Sequence, residues 1–304
     1  MKKIFFTGGS GLLSLNWALY CKDKWDVILG TFNRDIDPSF AETFSLLEVQ
    51  SAKTLQKVLS DISPDIVVNS AALTNIEFCE KNPSRAFESN VFFASNVAIA
   101  CNELKIPLVH ISTDHLFDGT LANVDEEEVP SPLNIYAKTK AEAEIKVAKL
   151  CKNSIIVRTN FFGWGTSYRQ SFTDSIIYEL SNDRIFYGFD NVYFTPILVS
   201  DLAACIFELL EDGSSGIFNI SSDKRISKYQ FAIMVAKIFN LPQSLVQPVN
   251  INEKAHLVIR PTDMSLSNKK ISELLRRNIG TAEDGLRRLL DQARYNTHKE
   301  LQNL

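Results

Sequence analysis

Tyr136 and Lys140 stand four residues apart in "PLNIYAKTKAEAE" (132–144). A phenol has an ordinary pKa of about 10, too high to ionise readily at neutral pH. An ammonium held beside it stabilises phenolate and lowers that value. Such a pair can give a proton to, or take one from, an oxygen whose carbon exchanges hydride. The spacing alone decides nothing, because Tyr20/Lys24 and Tyr295/Lys299 repeat it.

The surroundings separate the three. Tyr20/Lys24 runs off the end of the first helical pattern, and Tyr295/Lys299 lies in a charged C-terminal stretch. Tyr136 follows an apolar run that ends "HISTDHLFDG" (110–119), which reads as a strand presenting Ser112, Thr113 and Asp114 at its tip. Pro132 and Asn134 then lead into a helix with Tyr136 and Lys140 on one face, one turn apart. A Thr113 hydroxyl at that strand end would hydrogen-bond and orient the reacting oxygen.

A second motif says where the hydride comes from. "TGGSGLLS" (7–14) lies between the apolar run "KKIFFT" and the helical pattern "GLLSLNWALYCK". Gly8 can take a positive φ at the turn. Gly11 lets a pyrophosphate approach the backbone, and the helix opening at Leu12 offers unpaired N–H groups. Ser14 stands where the third glycine of such turns packs helix on strand. Strand, glycine turn and helix in that order point to a dinucleotide. The second strand ends "GTFNR", with Asn33 and Arg34 at its tip and no carboxylate before Asp35. An acidic residue there would accept from a ribose 2′-hydroxyl. Arg34 instead suits a 2′-phosphate, which predicts NADPH over NADH. The nicotinamide cation would then join Lys140 in stabilising phenolate, and Lys140 would also bind the cofactor ribose.

Apolar runs at 2–7, 25–32, 65–72, 106–113 and 153–160 alternate with helical patterns at about 51–60, 84–104 and 137–151. That rhythm predicts a Rossmann-type α/β fold, a doubly wound parallel sheet covered on both faces, with ligands at the carboxyl ends of its strands. After residue 163 helical stretches dominate, so a smaller, mostly helical substrate lobe is expected. We expect a dinucleotide-binding domain over 1–162 and 193–222, with the substrate lobe over 163–192 and 223–304. The 304 residues are 45% apolar and 22% charged, with a net charge of −4, which is ordinary for a soluble protein and leaves no electrostatic footprint for nucleic acid. No apolar run has membrane-spanning length, and "MKKIFFTGGSG" reaches glycines too early for a signal peptide. A cytoplasmic protein is expected, with its five scattered cysteines buried and reduced. The four histidines have no metal-ligand spacing, and no metal site is expected.

With these motifs in view, the chain resembles an extended short-chain dehydrogenase/reductase and, more narrowly, the dTDP-4-dehydrorhamnose reductase family. The segments "VVNSAALTNIEFCE" (67–80), "STDHLFDG" (112–119), "PLNIYAKTKAEAE", "VRTNFFG" (157–163), "FTPILVSDLA" (194–203), "GIFNIS" (216–221) and "RPTDMSLSNKKI" (260–271) are similar to that family's and follow in the same order. The resemblance implies NADPH-dependent reduction of a 4-keto-6-deoxy sugar on a nucleoside diphosphate, in the making of surface polysaccharide. It implies catalytic roles for Thr113, Tyr136 and Lys140. It places Gly8, Gly11, Asn69, Ala71 and Ala72 against the cofactor. It places Thr74, Asp114, Asn160 and Phe161 around nicotinamide and sugar, and Arg260 on the nucleotide diphosphate. Departures are Glu77 for a usual Asp, His115 for a usual Tyr, Ala137 for a usual Gly, and Phe161 where Trp often meets the sugar. The metal-binding glutamates of some members have no counterpart.

Related folds offer other functions. A 4,6-dehydratase uses an Asp-Glu pair after the threonine, and the chain reads Thr113-Asp114-His115. A 4-epimerase holds NAD tightly, against which Arg34 stands. A non-catalytic NADP-binding subunit, like the regulatory subunit of methionine adenosyltransferase, would not need Thr113, Tyr136 and Lys140 together. The run "DEEE" (125–128) reads as a solvated loop. Trp17 and Trp25 read as packing, and Trp164 as either packing or substrate stacking. The apolar helix "VFFASNVAIAC" suits burial under the sheet or a homodimer interface.

Overall fold

The computed structural model describes every residue except Gln50 and Ala255. Up to residue 158 it runs as β1 (Lys2–Phe6), α1 (Leu12–Cys21), β2 (Trp25–Thr31), β3 (Glu42–Ser45), α2 (Ala52–Ile62), β4 (Ile66–Asn69), α3 (Ile76–Lys81), α4 (Pro83–Phe87), α5 (Phe93–Leu104), β5 (Leu108–Ile111), α6 (Ile135–Leu150) and β6 (Ile155–Arg158). There follow β7 (Phe161–Phe162), α7 (Phe172–Ser181), β8 (Phe186–Phe189), β9 (Tyr193–Phe194), β10 (Ile197–Leu198), α8 (Val199–Glu211), β11 (Gly216–Asn219), β12 (Ile226–Ser227), α9 (Lys228–Ile238), β13 (Val246–Val249), α10 (Lys269–Leu275), α11 (Ala282–Arg294) and α12 (Lys299–Gln302).

Seven parallel strands form the main sheet in the order β11-β6-β5-β4-β1-β2-β3. The central strands are apolar on both faces because both are covered. In β1 the alternation is visible: Ile4 and Phe6 join one apolar cluster with α1 and α8, while Phe5 joins another with α2, α5 and α6. Chain direction across the sheet reverses between β1 and β4, so a crevice opens at their carboxyl ends. β3 escapes the apolar pattern because its residues, Glu42 to Ser45, lie at the sheet edge and none is buried.

Three two-stranded pairings, β7 with β10, β9 with β12 and β8 with β13, lie outside the main sheet and pack with α7, α9 and α11. Phe231 of α9 is the hub of this packing, with the rings of Phe162, Phe172 and Phe194 at centroid distances of 5.3, 5.7 and 5.7 Å. This ring cluster is continuous with the apolar cluster on the α1/α8 face of the sheet. Trp17 is fully buried edge-on to Phe6 and Phe207, and Trp25 stacks on Phe207 at 5.1 Å. Trp164 packs against Phe239 and His298, away from any stacking role in the cleft. The apolar face of α5 is buried with α2 and α6, so the chain itself covers it.

Serine, threonine and asparagine side chains cap the helices that matter for the site. Ser171 and Ser227 form capping boxes at α7 and α9, and Asn134 accepts from Ala137 N at α6. The acidic run at 125–128 is not uniformly solvated. Glu126 is half-buried and accepts from the Asn219 backbone at 2.8 Å, because β11 needs a partner at the sheet edge. Beneath α6, Glu144 and Arg158 form a buried ion pair at 2.9 Å, with side chains 4% and 3% exposed. Removing one member strands the other charge in the interior. Glu144→Ala should therefore cost about 3–5 kcal/mol. Glu144→Leu with Arg158→Met should recover most of that loss, as read from urea unfolding midpoints.

Candidate active site

The crevice at the sheet's reversal widens into a cleft of about 1240 Å³. A site for one drug-sized ligand occupies roughly 300–1,000 Å³. The cleft runs from the glycine turn past the β4 and β5 tips to Asn160 and Phe161.

Gly8 does not take a positive φ. Its need for glycine is steric: a Cβ there would lie 2.7 Å from Ala71 N and 2.8 Å from Ser70 C, where the turn presses against the end of β4. Gly11 caps α1 without any side-chain bond, so the first N–H groups of that helix are left for a ligand. Ser14 is fully buried and its hydroxyl lies 2.7 Å from that of Ser70, pinning α1 to the β4 end. Gly8, Gly11, Leu12, Asn33, Ala71 and Ala72 all line the cleft. Asn69 does not reach it. Its amide is buried below, accepting from Thr7 at 2.7 Å and facing His110 Nδ1 at 3.0 Å. Arg34 does not line the cleft; it is exposed next to Asn33, which does, and stacks 3.8 Å over the Tyr168 ring.

Thr113, Tyr136 and Lys140 converge at the middle of the cleft. Asn90 fixes the catalytic helix from the side. It exchanges hydrogen bonds with the Leu73 backbone (2.7 and 3.1 Å) and donates to Thr139, whose hydroxyl donates to the Tyr136 carbonyl. Asn90 sits in a π turn, Glu88–Phe92, whose extra residue turns its amide inward. The Lys140 ammonium is buried and donates to the Ile111 carbonyl at 2.6 Å, which ties α6 to the β5 tip. Burial lowers the Lys140 pKa to about 8, with Glu144 opposing. Burial pushes Tyr136 up to about 12, only partly offset by the Thr113 hydroxyl. The expected depression by Lys140 is not found: the phenol packs among Ile76, Cys79 and Ala86, Asp114 and Cys79 raise it further, and the ammonium is bound to the strand end. A neutral phenol is the form that can donate a proton to a carbonyl oxygen.

At the Asn160 end of the cleft, Asn160 donates to Asp114 at 2.7 Å. Burial still raises the Asp114 carboxyl to about 6, with Asn160 and then Lys228 opposing. His115 is packed edge-on to Tyr136 at 5.8 Å, and burial holds it neutral, down to about 3. Phe161 and Thr74 line the cleft. Arg260 does not line it; it pairs with Glu77 and donates to the Val258 carbonyl. Sequence reading missed Arg169, which lines the cleft and reaches Thr74 Oγ1 at 3.4 Å, and Lys228, which lies between the rings of Phe172 and Phe194. Neither belongs to a local motif, and only the packing of the lobe brings them here.

A family model described as the RmlD substrate binding domain matches residues 1–295. The chain belongs to that family. Among RmlD-type relatives it is similar to a probable low-salt glycan biosynthesis reductase of Haloferax volcanii, 25% identical over 286 residues, covering 93% of this chain and 95% of that protein. It is also similar to the methionine adenosyltransferase 2 subunit beta of Xenopus tropicalis, 27% identical over 292 residues, 90% of this chain and 82% of the relative. A crystal structure of dTDP-4-dehydrorhamnose reductase from Bacillus anthracis in complex with NADP superposes with a TM-score of 0.81 at 25% identity, covering 96% of this chain and all of the other. Among the described residues no helix is long and apolar enough to cross a membrane.

The Lys140 shift has a pH signature. The ammonium is present below about pH 8 and is lost as pH rises through it. Reductive kcat/KM should fall above that pH, and Lys140→Arg should carry the falling limb upward whatever rate it retains. Between that value and the ordinary lysine pKa the unfolded chain binds a proton that the folded chain does not, so this residue's contribution to stability rises with pH there. A pH–rate profile beside urea melts at matching pH checks both signs.

Proposed function

We propose that the protein is an NADPH-dependent reductase of a nucleoside-diphosphate 4-keto-6-deoxy sugar, acting in the synthesis of a surface glycan. The observation that carries this reading is the meeting of a neutral, buried Tyr136 phenol, the Thr113 hydroxyl and the Lys140 ammonium at the middle of a cleft whose far end is a glycine turn on an uncapped helix. The turn fits a dinucleotide pyrophosphate: a Cβ on Gly11 would lie only 3.1 Å from the Gly8 carbonyl, and the open end of α1 offers N–H donors. The reductase from Bacillus anthracis holds NADP in the corresponding fold. Bound there, NADPH supplies the hydride.

The chain's own residues do the rest. Thr113 Oγ1 orients the substrate carbonyl. Tyr136 donates its proton to that oxygen as the carbon becomes an alcohol. Lys140 carries the positive charge that stabilises the phenolate left behind. Ser112, whose buried hydroxyl has no hydrogen-bond partner, stands at the same strand tip. Asp114, held by Asn160, meets sugar hydroxyls beside Phe161, and Arg260 with its Glu77 partner stands behind the nucleotide end. Residues 1–162 and 193–222 hold the cofactor, and 163–192 with 223–304 hold the sugar nucleotide. The five cysteines are all buried free thiols, which suits a cytoplasmic site of action.

Methionine adenosyltransferase 2 subunit beta is as similar in sequence as the reductases, which favours one second reading, a regulatory NADP-binding subunit. One experiment separates them. NADPH consumption is followed with a panel of nucleoside-diphosphate 4-keto-6-deoxy sugars, wild type beside Tyr136→Phe. The reductase reading expects turnover with at least one sugar, reduced about 10²–10⁴-fold in the variant, as fits loss of a general acid. NADPH affinity should stay unchanged. Binding of NADPH without turnover of any sugar, together with co-purification of a partner protein, would instead establish the regulatory reading.

A further inference from the structure

The segment between β7 and α7 crosses from the smaller lobe back to the glycine turn. Its tip is a tight reversal in which Thr166 and Arg169 exchange backbone hydrogen bonds at 2.9 and 3.3 Å. Tyr168 sits at that tip, half-buried, and its hydroxyl donates to the Ser10 carbonyl at 2.9 Å. The ring is therefore fixed at both ends, by its own backbone and by the turn that faces the dinucleotide. On this ring lies the guanidinium of Arg34, at 3.8 Å from the centroid. Arg34 comes from the β2 tip on the other lobe, and no carboxylate among the described residues pairs with it.

An arginine stacked on an aromatic face keeps its N–H donors free, since they point outward in the plane of the guanidinium. That plane suits bidentate bonding to a phosphate. A long side chain at a solvent-exposed rim would otherwise lose rotamer freedom on binding. We propose that Tyr168 is a positioning residue for cofactor choice: its ring, anchored on Ser10, holds Arg34 with its donor edge ready for the 2′-phosphate that distinguishes NADPH from NADH. This rests on the NADPH reading above. It makes a residue of the substrate lobe a determinant of specificity at the adenosine end of the cofactor. The second strand alone would then not set the preference.

The test uses 2′,5′-ADP and 5′-AMP, which differ by the 2′-phosphate and need no turnover. Their affinities are measured by titration calorimetry for the full chain and for Tyr168→Leu, Tyr168→Gln, Tyr168→Phe, Arg34→Ala and the Arg34→Ala/Tyr168→Leu pair, with thermal melts to confirm folding. A cation–π stack at an exposed site corresponds to about two- to five-fold in affinity. We expect Tyr168→Leu and Tyr168→Gln to weaken 2′,5′-ADP by that factor and leave 5′-AMP unchanged. Tyr168→Phe, which keeps the ring, should stay close to wild type in the ratio of the two affinities. In the Arg34→Ala background, loss of the ring should do nothing more. Equal weakening of both nucleotides would show that the strap only supports the fold, and additive losses in the pair would show that Tyr168 acts apart from Arg34. Either overturns the proposal. No effect of Arg34→Ala itself would remove the 2′-phosphate reading of Arg34 beneath it, while leaving dinucleotide binding at the glycine turn intact.

Discussion

The buried bond from the Lys140 ammonium to the Ile111 carbonyl is the contact on which the site depends. It joins α6 to the strand that presents Thr113, and it does so with a charge that the interior disfavours. Burial of an ammonium is sustained only where acceptors and opposite charge surround it. Here the carbonyl supplies the acceptor, and Glu144, one turn along the same helix, supplies the charge. Glu144 is in turn held by Arg158 of the neighbouring strand. A column of alternating charge thus runs from the reacting groups into the sheet, and the geometry of Tyr136 follows from it because Tyr136 and Lys140 share one helical face.

Position by position, what could be read from the sequence was what local chemistry decides. The apolar runs of β1, β4, β5 and β6 are strands buried on both faces, so consecutive apolar residues mark them, interrupted only at Lys2 and Lys3, Asn69, His110 and Arg158. The glycine turn was legible because few turns bring a backbone so close to a neighbouring strand. Its reason was not. Gly8 is required by the proximity of Ala71, a residue more than sixty positions away, and not by its own dihedral angle. The same distance in sequence hid Arg169 at the cleft, Tyr168 against the glycine turn and Lys228 beside Asp114, and it hid that Asn69 and Arg260 are already partnered. Asn69 and Arg260 are spent on Thr7, His110 and Glu77, partners that no local pattern could supply. The β3 edge strand was invisible for the opposite reason, since an exposed edge imposes no apolar period.

The protonation states along the cleft are set mainly by burial. Tyr136 is held neutral, His115 is held neutral, and Asp114 is raised toward neutrality. Around Thr113 the fold therefore sets a neutral phenol, a neutral imidazole and a carboxyl that takes up a proton only as pH falls toward 6. In the proposed reduction, the cation that stabilises the phenolate left when the proton departs comes from one step below, at Lys140. Separation of donor and counter-charge into different layers lets each be tuned by its own surroundings.

One apolar cluster runs from the rings around Phe231 through Leu202 and Ile206 of α8 to Phe6 and Trp17 under the sheet. A protein built this way has no seam along which its halves can rotate apart without exposing its interior to water. Passage into the cleft by movement of the rim alone, at the exposed Phe92 of the π turn, Arg169 and the short strap that carries it, would leave that interior closed. Such motions displace a few side chains and one tight reversal of the chain. They belong to the timescale of loops, so passage into the cleft is decoupled from the stability of the scaffold that holds the chemistry.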